Sequence, residues 1–169
     1  MTKILLVEDD LNIIESLKEL LTAEGFEVIS ANRQSQALDY IDEEKFDMIL
    51  LDISLPDGSG YAICSAARAN IATNRNKDVP IIFITAYDDE ASVVTGLDMG
   101  AEDYITKPFR PRELVSRIKN VLRRNDKTKS IIEIGDLKVD SLKGTIFKGD
   151  TEIFLSVLEY RMLLVFLNN

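Results

Sequence analysis

Five polar residues of this chain stand where apolar runs stop. Ile4-Leu-Leu-Val7 runs into Glu8 and Asp9, Met48-Ile-Leu-Leu51 into Asp52, Val79–Ile84 into Thr85, and Asp103-Tyr-Ile-Thr106 into Lys107. A charge inside such a run would be buried without a partner, which neutralises it or costs several kcal/mol. At the run's end it can face a crevice instead. Singly, each residue has an ordinary role: Glu8 and Asp9 as helix-start acids, Asp52 as a cap or turn acid, Thr85 as a strand end, Lys107 as a solvated charge. Together they are three carboxylates, a hydroxyl and an ammonium. Clustered carboxylates repel unless a cation is present, and hard oxygen ligands suit Mg²⁺. Lys107 adds a compact positive charge for phosphate, and Thr85 a hydrogen-bond donor to a phosphoryl oxygen. Phosphoryl transfer requires little beyond positioning and charge neutralisation. Asp52 would then be the nucleophile, because carboxylates form acyl phosphates.

For these residues to meet, the runs must be strands of one parallel sheet, whose C-terminal ends share an edge. The runs lack alternation, as expected of strands buried on both faces. Between them lie helical patterns: Leu11, Ile14, Leu17 and Leu21 on one face, ending at Gly25; Ser35–Glu44 with Ala37, Leu38 and Ile41; and Gly60–Ala69. Asp88-Asp-Glu90 opens another helix, ending at Met99 before Gly100, since acids favour a helix N-terminus. A last helix from Pro111 carries Leu114, Ile118, Val121 and Leu122. Phe26–Ser30 supplies a further strand, and Asn70–Asp78 reads as a polar loop. Strand and helix thus alternate five times, predicting an α/β fold: a doubly wound, five-stranded parallel sheet.

At 169 residues and 46% hydrophobic composition, the chain can bury at least one sizeable core. Apolar runs are too short to span a membrane and Met1-Thr-Lys3 leads straight into a strand, predicting a soluble, cytoplasmic protein without a targeting segment. The single Cys64 excludes an internal disulfide and reads as a buried structural thiol; the absence of histidine excludes Ser-His-Asp and Cys-His mechanisms. The net charge of −9 sits unevenly: residues 1–122 hold 22 acids and 12 bases, residues 123–169 seven and eight. The acidic body does not suggest direct nucleic-acid contact, but it fits carboxylates gathered round a cation.

Val7-Glu-Asp-Asp10, Leu51-Asp52 with Pro56 and the turn pair Asp57-Gly58, Thr85-Ala86 and Gly100-Ala-Glu-Asp-Tyr-Ile-Thr-Lys-Pro-Phe109 closely resemble a two-component response-regulator receiver domain over about residues 2–124. The resemblance implies a flavodoxin-like sheet and a phosphoacceptor Asp52. It implies Mg²⁺ held by Glu8, Asp9, Asp52 and the backbone carbonyl of Ser54, with Lys107 as phosphate ligand. It further implies a Thr85/Tyr104 switch pair, a cis Lys107-Pro108 bond and a phosphohistidine donor on a sensor histidine kinase. Phosphorylation would draw Thr85 inward and let Tyr104 fill the vacated space. The same resemblance places a two-fold dimer contact on Asp98, Glu102 and Asp103 opposite Arg112, Glu113, Arg117 and Arg124. Val93 departs from the basic residue common at its position, so Glu113 is expected to lack its usual partner, and the Asn70–Asp78 loop is longer than common. Activity as an enzyme is not expected beyond self-catalysed phosphorylation and dephosphorylation.

The divisions read from the sequence are a receiver at 1–124, a polar linker at 125–130 and a further segment at 131–169. That segment offers strands at Ile131–Ile134, Leu137–Val139, Thr145–Phe147 and Glu152–Leu155, then a helix at Leu158–Leu167 bearing Leu158, Met162, Val165 and Phe166. It resembles the N-terminal sheet and first helix of an OmpR/PhoB-type winged-helix domain, stopping before a recognition helix. Promoter binding by a dimer is therefore expected of an intact relative and not of this polypeptide. Without a packing partner, the segment is expected to be disordered, to swap or to associate. The leading reading is a phosphorylation-switched transcriptional response regulator. The alternative is a receiver acting as a phosphorelay or interaction module without DNA binding. An Asp-nucleophile phosphatase is disfavoured, because Ser54 stands where Asp-x-Asp needs its second acid.

Overall fold

The computed structural model describes residues 1–69, 74–126, 131–140 and 143–167. They form two compact units, Met1–Asn125 and Asp126–Asn169.

In the first unit the order is β1 (Lys3–Val7), α1 (Leu11–Ala23), β2 (Glu27–Ala31), α2 (Gln34–Glu43) and β3 (Met48–Leu51). A small hairpin, β4 (Ser54–Leu55) and β5 (Gly58–Ser59), leads into α3 (Gly60–Arg68), β6 (Ile81–Thr85), α4 (Glu90–Asp98), β7 (Asp103–Thr106) and α5 (Pro111–Asn125). The five long strands are parallel in the order β2-β1-β3-β6-β7, the doubly wound arrangement expected from the alternation. Every residue of β3 and β6 is buried, which is why neither strand alternates in sequence. Odd and even positions of the strands feed separate cores. Leu17 and Leu21 of α1 and Leu114, Ile118 and Val121 of α5 cover one face. Ala37 and Ile41 of α2 and Ile63, Cys64 and Ala67 of α3 cover the other.

Several boundaries differ from expectation. Leu11 is the first helical residue and stays 65% exposed, because the inward face begins only at Ile14. The fourth long strand starts at Ile81, two residues later than its apolar run, and extends through Thr85. Helix α5 takes in Asn125, read as linker, whose side-chain amide donates to the Val121 carbonyl at 2.9 Å. The expected linker is described only to residue 126 and the expected polar loop only from residue 74; residues 127–130 and 70–73 lie outside the described residues. What is described of that loop is partly interior. Asn76 is buried, accepts from the Phe46 N–H at 2.9 Å, and donates to the carbonyls of Ile41 at 2.9 Å and Glu44 at 2.8 Å.

The second unit is an antiparallel sheet in the order β11-β10-β9-β8, from β8 (Ile131–Ile134), β9 (Leu137–Asp140), β10 (Thr145–Lys148) and β11 (Thr151–Ile153), followed by α6 (Val157–Leu167). Strand β11 ends two residues before the expected Leu155. The cross-strand partners Val139 and Ile146 are both buried. Leu158, Met162, Val165 and Phe166 of α6 are 55–78% exposed. Among the described residues no helix is long and apolar enough to cross a membrane.

Candidate functional site

Register brings the strand ends to one rim. Val7 pairs with Leu51, Leu51 with Phe83, and Thr85 with Thr106. Backbone bonds carry the pairing one residue further: Asp52 N–H donates to the Val7 carbonyl at 2.9 Å, and Lys107 N–H to the Thr85 carbonyl at 2.8 Å. Glu8, Asp52 and Lys107 therefore leave the sheet at the same edge.

There the Lys107 ammonium donates to Glu8 Oε2 at 2.5 Å and to Asp52 Oδ2 at 2.9 Å. Glu8 is 2% and Asp52 7% exposed, so the lysine answers two charges that water scarcely reaches. Burial pushes the Glu8 carboxyl above its ordinary range, against the pull of Lys107 and the Asp10 N–H, with the Asp52 charge adding to the rise. Burial works to lower the Lys107 ammonium, but its bonds to Glu8 and Asp52 outweigh it and hold the group protonated above its usual range. Carboxylate oxygens of Glu8, Asp9 and Asp52 lie within 4.8 Å of one another, with Asp9 exposed at the mouth. This all-oxygen donor set can hold a hard metal ion. Asp10, the next acid, is not part of it; its carboxylate caps α1 by accepting from Asn12 and Ile13 N–H.

Thr85 is fully buried, and its hydroxyl oxygen accepts from Tyr87 N–H at 3.4 Å. Tyr104 sits partly buried in β7 and donates its hydroxyl to the Tyr87 carbonyl at 2.7 Å. Its ring lies 6.0 Å from that of Phe83, which meets Tyr61 edge-on at 5.6 Å. Burial, then the neighbouring Tyr61 and several acids, push the Tyr104 hydroxyl up to about 12. The Lys107-Pro108 bond is cis.

Asp98 at the end of α4, Glu102 just before β7, and Arg112 and Arg124 on α5 are exposed. The other three residues of the expected dimer face are joined within the chain. Arg117 bonds Asp103 at 2.9 Å and Glu113, one turn earlier, at 2.9 Å. Glu113 is thus paired one turn along its own helix, a contact that the reading from Val93 does not consider.

The structure adds residues that sequence reasoning missed. Gly60 faces the Asp52 backbone so closely that a Cβ would collide with the Asp52 carbonyl oxygen. Gly96 of α4 lies against the rings of Tyr104 and Phe83, 3.0 and 3.1 Å from where a Cβ would stand. Asp57, read as a turn residue, accepts from the N–H groups of Gln34 and Ser35 at the start of α2. The Asp57-Gly58 pair signals a turn in the sequence, but neither the hairpin around it nor its anchor 22–23 residues upstream is read from it.

Residues 4–119 match the family model of the response regulator receiver domain. The chain is 38% identical to the probable transcriptional regulator ycf27 of Porphyridium aerugineum, covering 95% of this chain and 68% of that protein. It is also 38% identical to the DNA-binding response regulator MtrA of Mycolicibacterium smegmatis, again over 95% of this chain and 68% of the relative. A CheY-like receiver domain protein from Methanospirillum hungatei superposes with a TM-score of 0.69 at 34% identity, covering 76% of this chain and 98% of that one. DrrB of Thermotoga maritima, an OmpR/PhoB homologue, gives 0.64 at 37% identity over 98% of this chain and 71% of that one.

Proposed function

The chain belongs to the response regulator receiver family, and from that premise we propose that it accepts one phosphoryl group on Asp52 from a sensor histidine kinase. An Asp52 oxygen attacks the donor's phosphorus, a new P–O bond forms, and the donor's bond to phosphorus breaks. Lys107 neutralises charge on the incoming oxygens from its place beside Asp52, and Thr85 donates its hydroxyl to one of them. Glu8, Asp9, Asp52 and the Ser54 carbonyl would hold Mg²⁺, which when bound supplies the balancing charge for both carboxylates and phosphoryl oxygens. The observation that carries this reading is the Lys107 ammonium shared between two buried acids with a third carboxylate alongside.

Tyr87 offers the route from acceptor to surface. Its N–H is engaged by Thr85 and its carbonyl by Tyr104. Turning the Thr85 hydroxyl toward a phosphoryl group releases that N–H and shifts the loop entering α4 on which the Tyr104 hydroxyl rests. The population of Tyr104 positions, and with it the α4–α5 surface, then depends on phosphorylation. That surface, with Asp98, Glu102, Asp103, Arg112, Glu113, Arg117 and Arg124, forms the two-fold dimer contact. The output of this class of protein is promoter binding, with residues 131–169 as part of a winged-helix DNA-binding domain. The receiver turns over no external substrate beyond its own phosphoryl donor, and works in the cytoplasm.

Incubation with Mg²⁺ and acetyl phosphate, followed by intact mass and gel filtration, tests this. One added phosphoryl group and a shift toward dimer are expected, both absent in Asp52→Ala. Unchanged wild-type mass, or an equal mass gain in Asp52→Ala, would overturn it.

A further inference from the structure

The hairpin after Asp52 is fastened to a helix at each of two points. Helix α2 begins without a cap of its own: Arg33, at the cap position, makes no side-chain hydrogen bond to it. The orphaned N–H groups of its first turn go to Asp57 instead. Gln34 N–H donates to Asp57 Oδ1 at 2.6 Å and Ser35 N–H to Oδ2 at 3.0 Å. A carboxylate suits that place, where the aligned peptide dipoles leave partial positive charge. Gln34 returns the connection. Its side-chain oxygen accepts from Ser59 N–H at 2.8 Å, and its amide lies where a Cβ on Gly58 would fall. Asp57 thus ties the turn, and Gln34 ties β5.

Both ties bear on Ser54. It pairs across the hairpin with Ser59, and Leu55 with Gly58. A two-stranded hairpin this short does not hold its own geometry in water. A backbone carbonyl has no side chain to adjust, so its aim is set by whatever fixes the strand that carries it. We infer that Asp57 and Gln34 are positioning residues for the Ser54 carbonyl, clamping to α2 the hairpin that would bring this oxygen to a cation held by Glu8, Asp9 and Asp52. The inference rests on the proposed Mg²⁺ reading and adds to it two residues that touch neither cation nor phosphate. Releasing the clamp reduces the fraction of molecules whose carbonyl is aimed, and apparent affinity for Mg²⁺ falls in proportion.

The test is Mg²⁺ titration of the full chain by calorimetry, with urea midpoints measured on the same samples. Asp57→Ala is expected to weaken Mg²⁺ binding about tenfold, the usual effect of losing a residue that orients a ligand. Asp57→Asn, which keeps one acceptor oxygen, should fall between Asp57→Ala and wild type. Gln34→Ala should also weaken binding, and because Gln34 is uncharged this cannot reflect net charge. Ile41→Val, a core change elsewhere in α2, should lower the urea midpoint and leave Mg²⁺ affinity unchanged. The inference is overturned if Asp57→Ala and Gln34→Ala lose stability yet bind Mg²⁺ like wild type. It is equally overturned if only the charge changes at Asp57 matter. Absence of measurable Mg²⁺ binding by wild type would instead overturn the metal reading, and the inference with it.

Discussion

Lys107 is the residue on which the rim balances. Its side chain is 18% exposed, against 3% and 8% for those of Glu8 and Asp52, so its loss leaves two acids with little water to compensate. Lys107→Met should therefore cost about 3 kcal/mol in Mg²⁺-free buffer, the usual scale for breaking a buried pair from one side. If the acids hold Mg²⁺ as proposed, millimolar Mg²⁺ should close much of that gap, since a ligand of the folded state stabilises it. Urea denaturation with and without Mg²⁺ reads both effects. Tyr104 makes a second prediction at this scale. Its hydroxyl is held near 12 by burial first. The folded state thus keeps a proton that the unfolded chain releases near 10, and stability should decline as pH rises from about 10 toward 12. Ultraviolet titration of the five tyrosines should show one late component, missing in Tyr104→Phe.

Among the elements, α2 and the hairpin carry a pH signature. Hydrogen bonds from the Ser35 and Gln34 N–H groups pull the Asp57 carboxyl below its ordinary value, against slight burial. A carboxyl depressed in the fold contributes stability above its unfolded pKa, near 3.9, and loses it as pH falls through the folded value. Urea midpoints compared at pH 7 and pH 3 should therefore drop less in Asp57→Asn than in wild type. Gly60→Ala forces a methyl against the Asp52 carbonyl at the head of α3. About 3 kcal/mol of destabilisation is expected, together with slower phosphorylation than in a surface substitution of equal cost. The elements show what a sequence can and cannot disclose. Uninterrupted apolar runs named the strands, and because parallel strands end together, the acids at their ends implied a shared rim. Tertiary hydrogen bonds left no such mark. Asn76 looked like loop polarity, yet it occupies a buried junction with Phe46, Ile41 and Glu44. Asp57 looked like turn chemistry, yet its partners stand on α2. The Arg117–Glu113 pair has the i, i+4 spacing of a helix contact, yet the reading of Glu113 considers only the absence of a basic residue at position 93.

On the scale of the molecule, the two units make separable predictions. Residues 1–125 hold both cores that flank the parallel sheet and every residue of the candidate site. Expressed alone, they should take up a phosphoryl group at the wild-type rate by intact mass. The proposed dimer contact is rich in exposed charge, and such charge sets register and encounter more than strength. Raising salt from about 0.1 M to about 1 M shortens the Debye length from about 10 Å to about 3 Å. The phosphorylated dimer fraction in gel filtration should fall over that range, and Arg112→Glu should lower it at either salt.

The packing of Cys64 has a practical consequence. It is fully buried in α3, beside the Met99 carbonyl, and burial raises its thiol above the usual range. With no other cysteine in the chain, an alkylating reagent can register only excursions that expose this helix, making the unmodified protein its own clock for opening. Any cysteine engineered onto the exposed surface of α4 or α5 would meanwhile accept a spectroscopic label against a silent background.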